Sequence, residues 1–189
     1  MSSQPHTVLP WIVRRTGLPL LSLRCVDCPS KSATTGNGRF RINANGKLLD
    51  VWLLVRCVSC DWTSKLAVHE RVPVRSLDPA LLDGYHVNDP KLVAATLLDP
   101  LLARRRGFTL QWQGAWQLDA PQARLDEAWP WHVAVAFEDP VPIRPDRLIA
   151  QGLRFSRNEV SRRIKCDVSL RRPTSTGFTF IVMAEGSTS

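Results

Sequence analysis

Four cysteines fall in two pairs, Cys25-Val26-Asp27-Cys28 and Cys57-Val58-Ser59-Cys60, with 28 residues between Cys28 and Cys57. A two-residue gap lets both sulfurs of a pair turn toward one point. Two such knuckles close a tetrahedral thiolate cage with Zn–S bonds of about 2.3 Å. The spacing predicts one structural Zn2+ held by Cys25, Cys28, Cys57 and Cys60. Four protein ligands leave the ion no open position, so it holds shape and does no chemistry. The competing uses of these residues are two disulfides or four buried thiols. Disulfides need an oxidising compartment, and no secretory signal is evident. The apolar stretches 8–13 and 18–23 are broken by Pro10, Arg14, Arg15 and Pro19, and no stretch is long enough to span a bilayer. The expected setting is the cytoplasm, with no membrane association.

Little else in the chain suggests a reaction. His69-Glu70 opens like a metalloprotease helix motif, but no second histidine follows four residues later and Pro73 forbids the helix. His69 is expected at a strand end on the surface. No glycine-rich phosphate loop, nucleophile elbow or convincing carboxylate pair is present, so the expectation is a protein that is not an enzyme. Cys166 stands alone, as a small buried thiol.

The net charge of +8 is unevenly spread. Residues 1–75 carry 11 Lys/Arg and 4 Asp/Glu, net +7; residues 76–143 carry 5 and 9, net −4; residues 144–172 carry 9 and 3, net +6. Two basic segments flank an acidic one. Such segments suit a polyanion, most often nucleic acid, or serve solubility alone.

The elements that must position these residues read as follows. Short strands over 7–24, turning at Thr16-Gly17, lead to the first knuckle. Residues 39–43 and 47–56 form a hairpin about an Asn45-Gly46 turn, and the second strand delivers Cys57. After Cys60, residues 62–68 form another strand. Ribbon knuckles usually place glycine after the second cysteine. Here Pro29 and Asp61 follow, and only Asp61 tolerates a left-handed backbone. Knuckle, hairpin, knuckle and strand describe a zinc ribbon. Asp78-Pro79 and Asp89-Pro90 each start a helix within 77–106, and Arg104-Arg105-Arg106-Gly107 ends the second. Residues 108–141 read as strands around a loop at 119–130. Trp112, Trp116, Trp129 and Trp131 are either core or an aromatic platform for bases.

Near the C-terminus, Pro145 through Leu153 fits a short helix. Ser156-Arg157-Asn158-Glu159 is a capping box that starts another, with Phe155 placed to staple onto Val160. Val160 and Ile164 face inward. Residues 168–170 and 178–182 then alternate like two strands.

On these residues a resemblance appears. Arg144-Pro145-Asp146-Arg147-Leu148-Ile149-Ala150, followed by Gly152-Leu153-Arg154-Phe155-Ser156-Arg157, resembles the opening of the RNA-binding domain named for small-subunit ribosomal protein four. Pro145 stands where that family has Leu, and Cys166-Asp167 replaces the glycine that ends its second helix. The resemblance implies two helices and following strands that present basic residues to structured RNA. Arg144, Arg147, Arg157, Arg162 and Lys165 are then the implied phosphate contacts. The whole chain also resembles a bacterial family known only as a domain of unknown function. The cues are Phe40 through Trp52, Glu70-Arg71-Val72-Pro73-Val74 and Gly177-Phe178-Thr179-Phe180.

The expected fold class is α+β: an N-terminal zinc-ribbon-like antiparallel β domain (1–75), a helical and β connecting segment (76–141) and a small helix-helix-strand module (142–189). The expected function is RNA binding with a structural zinc site, in association with ribosome or tRNA. The alternatives are a DNA-binding regulator and a protein–protein interaction module. Ala150 and residues 156–164 also resemble a helix-turn-helix, though Arg154 occupies the position where that motif takes glycine for its turn.

Overall fold

The computed structural model describes residues 8–121 and 130–184. Within them, ten strands form two sheets, accompanied by five α-helices, so the fold is α+β as expected. The chain divides into two compact units: residues 18–111, and residues 1–17 together with 112–189. The boundaries expected at 75/76 and 141/142 both fall inside these units. The reason is long-range pairing. The first strand, β1 (Val8–Arg15), joins a sheet made by the C-terminal half of the chain.

The unit of residues 18–111 contains β2 (Leu20–Ser22), β3 (Ser32–Asn45), β4 (Leu48–Cys57) and β5 (Thr63–Pro73). A 3-10 turn (Val74–Ser76) leads to α1 (Pro79–Val87), α2 (Pro90–Leu98) and α3 (Pro100–Arg106), then to β6 (Thr109–Gln111). The antiparallel sheet runs β5-β4-β3-β2-β6. Strict alternation along β4 buries Leu49, Val51, Leu53, Val55 and Cys57 on one face. Leu48, Asp50, Trp52, Leu54 and Arg56 turn to the other. The buried row packs with Val93, Leu97, Leu102 and Phe108 in one cluster and with Tyr85 in another.

The β3–β4 hairpin turns at Gly46-Lys47, one residue later than expected, since Asn45 still pairs with Leu48. Gly46 takes φ +61° and Lys47 stays at negative φ, the pattern of a type II′ turn with glycine first. Three helices replace the expected two. Asp78, Asp89 and Asp99 each accept a hydrogen bond at 2.8 Å from the amide two residues on, and each precedes a proline. Every such cap contributes about 1 kcal/mol. Gly107 closes α3 in the left-handed region, as expected. Arg106 leaves the arginine triplet to donate to the Ala67 carbonyl at 2.7 Å and to pair with Glu70.

In the second unit, β1 is joined by β7 (Trp116–Asp119), β8 (Trp131–Phe137), α4 (Pro145–Leu153), α5 (Arg157–Arg163), β9 (Ile164–Cys166) and β10 (Phe178–Val182). The sheet order is β7-β1-β8-β10-β9, with β1 and β8 parallel and the other pairs antiparallel. Pro10 is tolerated inside β1 because β7 pairs only from Ile12 onward, so the missing N–H costs no ladder bond on that side. Helix α4 lies close to β1. A Cβ on Gly152 would stand 2.3 Å from the Trp11 ring, so only glycine permits this approach. Trp11 in turn meets Phe180 edge-on at 5.1 Å.

The C-terminal segment is therefore no separate module, since its strands complete a sheet that begins at residue 8. The strand expected at 168–170 lies instead at Ile164–Cys166, where the chain runs from α5 into β9 without a break. Trp131 is buried in this core, and Trp112 and Trp116 pack against it, so these three are packing residues and not an aromatic platform. Trp129, and most of the expected 119–130 loop, lie outside the described residues.

Candidate metal centre

The two cysteine pairs sit on matching knuckles. The first links β2 to β3, and the second links β4 to β5. In each, the first cysteine donates its amide to the carbonyl five residues on: Cys25 to Ser30 at 2.9 Å and Cys57 to Trp62 at 2.9 Å. The amide two residues on donates back to its sulfur: Asp27 to Cys25 Sγ at 3.4 Å and Ser59 to Cys57 Sγ at 3.4 Å. These amides carry no distinctive sequence signal beyond the two-residue spacing itself. Asp61 adopts φ +59° after the second pair, as expected of a residue that tolerates the left-handed region.

This backbone brings all four sulfurs within 4.8 Å of one another. Cys25 Sγ lies 3.7 Å from Cys60 Sγ, and Cys28 Sγ lies 3.6 Å from Cys57 Sγ. A tetrahedron with metal–sulfur bonds of about 2.3 Å has edges of about 3.8 Å, so the cluster fits a four-coordinate thiolate site. Cys25 and Cys57 are buried, Cys28 is half-buried and Cys60 exposed. The Ser59 amide, donating to sulfur, holds the Cys57 thiol down at about 6. The Trp62 amide acts in the same direction on Cys60, but burial and the three neighbouring sulfurs outweigh it and push that thiol up to about 12. Four thiolates cannot share this space without a compensating cation. A bound metal would supply that charge and displace the remaining protons.

The five residues implied as phosphate contacts are not equivalent. Arg147, Arg157, Arg162 and Lys165 are exposed. Arg144 is half-buried, with its guanidinium held by Asp146 through two hydrogen bonds. It is an internal tie at the start of α4. Arg157 and Arg162 stand about 140° apart around α5, so they do not share one helix face. Arg163, not among the five, lies over the Phe155 ring at 4.7 Å and donates to the Met183 carbonyl at 3.1 Å.

Four further expectations meet the structure here. The capping box is present: Ser156 donates its amide to Glu159 Oε2 at 2.7 Å, and Glu159 donates its own to Ser156 Oγ at 3.2 Å. Arg154 takes φ +56° and ψ 34° between α4 and α5, the conformation for which a helix-turn-helix normally uses glycine. The motif's spacing marks this position, but an arginine there does not by its own preference announce the left-handed turn. His69 is not at a strand end. It lies within β5, half-buried, with Nε2 3.0 Å from Tyr85 Oη. Cys166 is half-buried against the second unit's core, as a small thiol.

Among the described residues, no helix is long and apolar enough to cross a membrane. A family model described as "Protein of unknown function (DUF1062)" matches residues 42–172. No curated protein and no solved structure matches the chain.

Proposed function

We propose a function for a chain that belongs to the family described as protein of unknown function (DUF1062): a non-enzymatic nucleic-acid-binding protein, with RNA preferred, whose cysteines hold one structural zinc ion. The observation that carries the reading is the convergence of Cys25, Cys28, Cys57 and Cys60 to sulfur–sulfur distances of 3.6 and 3.7 Å. Soft thiolates in a tetrahedral set favour zinc among the available divalent ions. The nucleic-acid part is supported by Arg147, Arg157, Arg162 and Lys165, four exposed cations on the α4-turn-α5-β9 segment. The resemblance of that segment to a ribosomal RNA-binding domain favours RNA.

One experiment tests both parts. The protein purified under reducing conditions should contain one zinc per chain. Its affinity for structured RNA should fall with salt at a log–log slope of about −3 to −4, from four phosphate contacts at about −0.7 to −0.9 each. Replacing Arg157 and Lys165 with Ala together should flatten that slope by about 1.5 and weaken all sequences alike, because phosphate contacts position without specifying. Absence of stoichiometric metal would sink the first part, and affinity indifferent to both replacements would sink the second.

A second reading rests on Arg154. Its left-handed turn gives α4 and α5 the connection that a DNA-binding helix-turn-helix requires. Preference for duplex DNA over structured RNA of equal length, with a strong penalty for changing particular base pairs, would favour it. A protein that binds neither polymer at low salt would favour protein contacts instead.

A further inference from the structure

The strand that delivers Cys57 to the metal centre turns its other face to a cleft. Leu54 and Arg56 of β4 point away from the buried row, opposite Arg39 of β3 and Thr63 of β5. The register of β3 against β4 slips between Thr34 and Arg39, so residues 35–38 of β3 pair with no residue of β4. The result is an open cleft of about 330 Å³ lined by Thr35, Asn37, Arg39, Leu54, Arg56 and Thr63. That volume lies at the small end of the range for small-molecule sites.

The lining is chemically one-sided. It offers two guanidiniums, two hydroxyls and one carboxamide, and no carboxylate. Arg39 makes no ion pair or side-chain hydrogen bond with any described residue. Arg56 lies over Gly36, where an added Cβ would stand 3.2 Å from its Nη2. Its one carboxylate neighbour is Asp61, 3.8 Å away and 86% exposed, and such a solvated pair holds an arginine only weakly. Thr35 is 7% exposed, and its hydroxyl finds no hydrogen-bond partner among the described residues. Thr35 lines the cleft beside the two arginines, so its hydroxyl can donate to an acceptor that enters.

We propose that this cleft binds a phosphate group between Arg39 and Arg56, with Thr35, Thr63 and Asn37 donating to the remaining oxygens. Paired guanidinium forks match a tetrahedral oxyanion. A carboxylate has two oxygens and is satisfied by one fork, so it leaves the second arginine and the hydroxyls unused. Leu54 gives the group carrying the phosphate an apolar surface. This site lies in the unit of residues 18–111. It goes beyond the RNA reading, which uses residues 147–165 of the other unit. The phosphate comes from a small phosphorylated molecule or from a nucleic-acid backbone, and the test separates the two.

The full chain with its metal as purified would be titrated, in chloride buffer, with inorganic phosphate, uridine 5′-monophosphate and an oligouridine lacking terminal phosphates. NMR would follow the Thr35 and Thr63 amides and the Arg39 and Arg56 Nε–H signals. Saturable shifts at these positions with the first two titrants place a free phosphate or monoester in the cleft, and shifts with the oligouridine alone place a backbone phosphate there. Arg39→Gln and Arg56→Gln, both at exposed positions, should each weaken binding about tenfold, the loss expected when one charge-assisted contact is removed. Shifts absent from the cleft with all three titrants would overturn the proposal. So would unchanged affinity in both variants, or shifts confined to Arg157 and Lys165, an outcome that would leave the RNA reading intact.

Discussion

At the scale of single residues, the sequence is most legible where chemistry fixes spacing. The cysteine pairs announce their site because two intervening residues are what a knuckle needs, whatever the rest of the chain does. Asp61 was legible for a similar reason, since few residues tolerate its backbone. Arg154 was not, because an arginine at positive φ is held by the helices on either side of it and not by its own preference. His69 was misplaced because its partner, Tyr85, lies 16 residues away on a helix. The burial of His69 makes a pH prediction. Burial, the larger cause, and the nearby Arg105 both disfavour the imidazolium and hold the His69 pKa below the ordinary 6.5. As pH falls, the unfolded chain takes up this proton before the folded one does. The stability contributed by a neutral His69 is therefore complete above about 6.5 and declines as pH drops from there toward the folded value. An NMR titration should find the midpoint below 6.5. Arg105→Gln should raise it without restoring 6.5, because burial remains. A wild-type midpoint at or above the ordinary value would remove burial as the cause.

At the scale of elements, helix starts were legible and strand ends were not. A cap is a local contract among three or four residues. The Asp-Pro signal that marks α1 and α2 occurs a third time at Asp99-Pro100, and α3 begins there. The expected two-helix reading ran through it because residues 92–98 and 101–103 share one apolar pattern. Strand β9 was expected four residues too late, since a three-residue edge strand carries almost no period of its own and is defined by its partner β10. The capping box of α5 gives the sharpest test at this scale. Ser156→Ala leaves the Glu159 amide without its acceptor and should cost about 1 kcal/mol in a denaturant titration. Hydrogen bonds from the Ser156 side chain and then its amide hold the Glu159 carboxylate below its ordinary 4.5. Its contribution is present above that value and is lost as pH falls through the depressed folded value. The penalty of Ser156→Ala should accordingly shrink in acid. A penalty that is absent at neutral pH would mean that the helix does not depend on this cap.

At the scale of the whole molecule, the division into two units was the least legible feature. Nothing local in residues 8–15 distinguishes a strand that pairs with β2 from one that pairs in parallel with β8, more than a hundred positions later. Sequence proximity favoured the ribbon, and the pairing chose the other sheet. This has a consequence for metal removal. All four sulfurs belong to residues 18–111, and the described residues of the other unit contain Cys166 alone. Structural zinc contributes about 10–16 kcal/mol of apparent binding energy in small domains, as much as the entire net stability of about 5–15 kcal/mol of an ordinary domain. The apolar cluster beneath β4 makes the metal-bearing unit better supported than an isolated zinc finger. Even so, a loss of that size exceeds what its core can hold in reserve, and the four thiols are left crowded without their cation. Cys57→Ser, or chelation under reducing conditions, should therefore abolish hydrogen-exchange protection in β3, β4 and β5. Protection in β8 and β10, which rests on Val133, Val135, Phe178 and Phe180, should persist. Zinc added back to the chelated wild type, but not to Cys57→Ser, should restore the lost protection. Full protection of β4 after verified metal removal would show that the cysteine cluster is not what holds this sheet. Simultaneous loss in β8 and β10 would show that the two units do not stand independently.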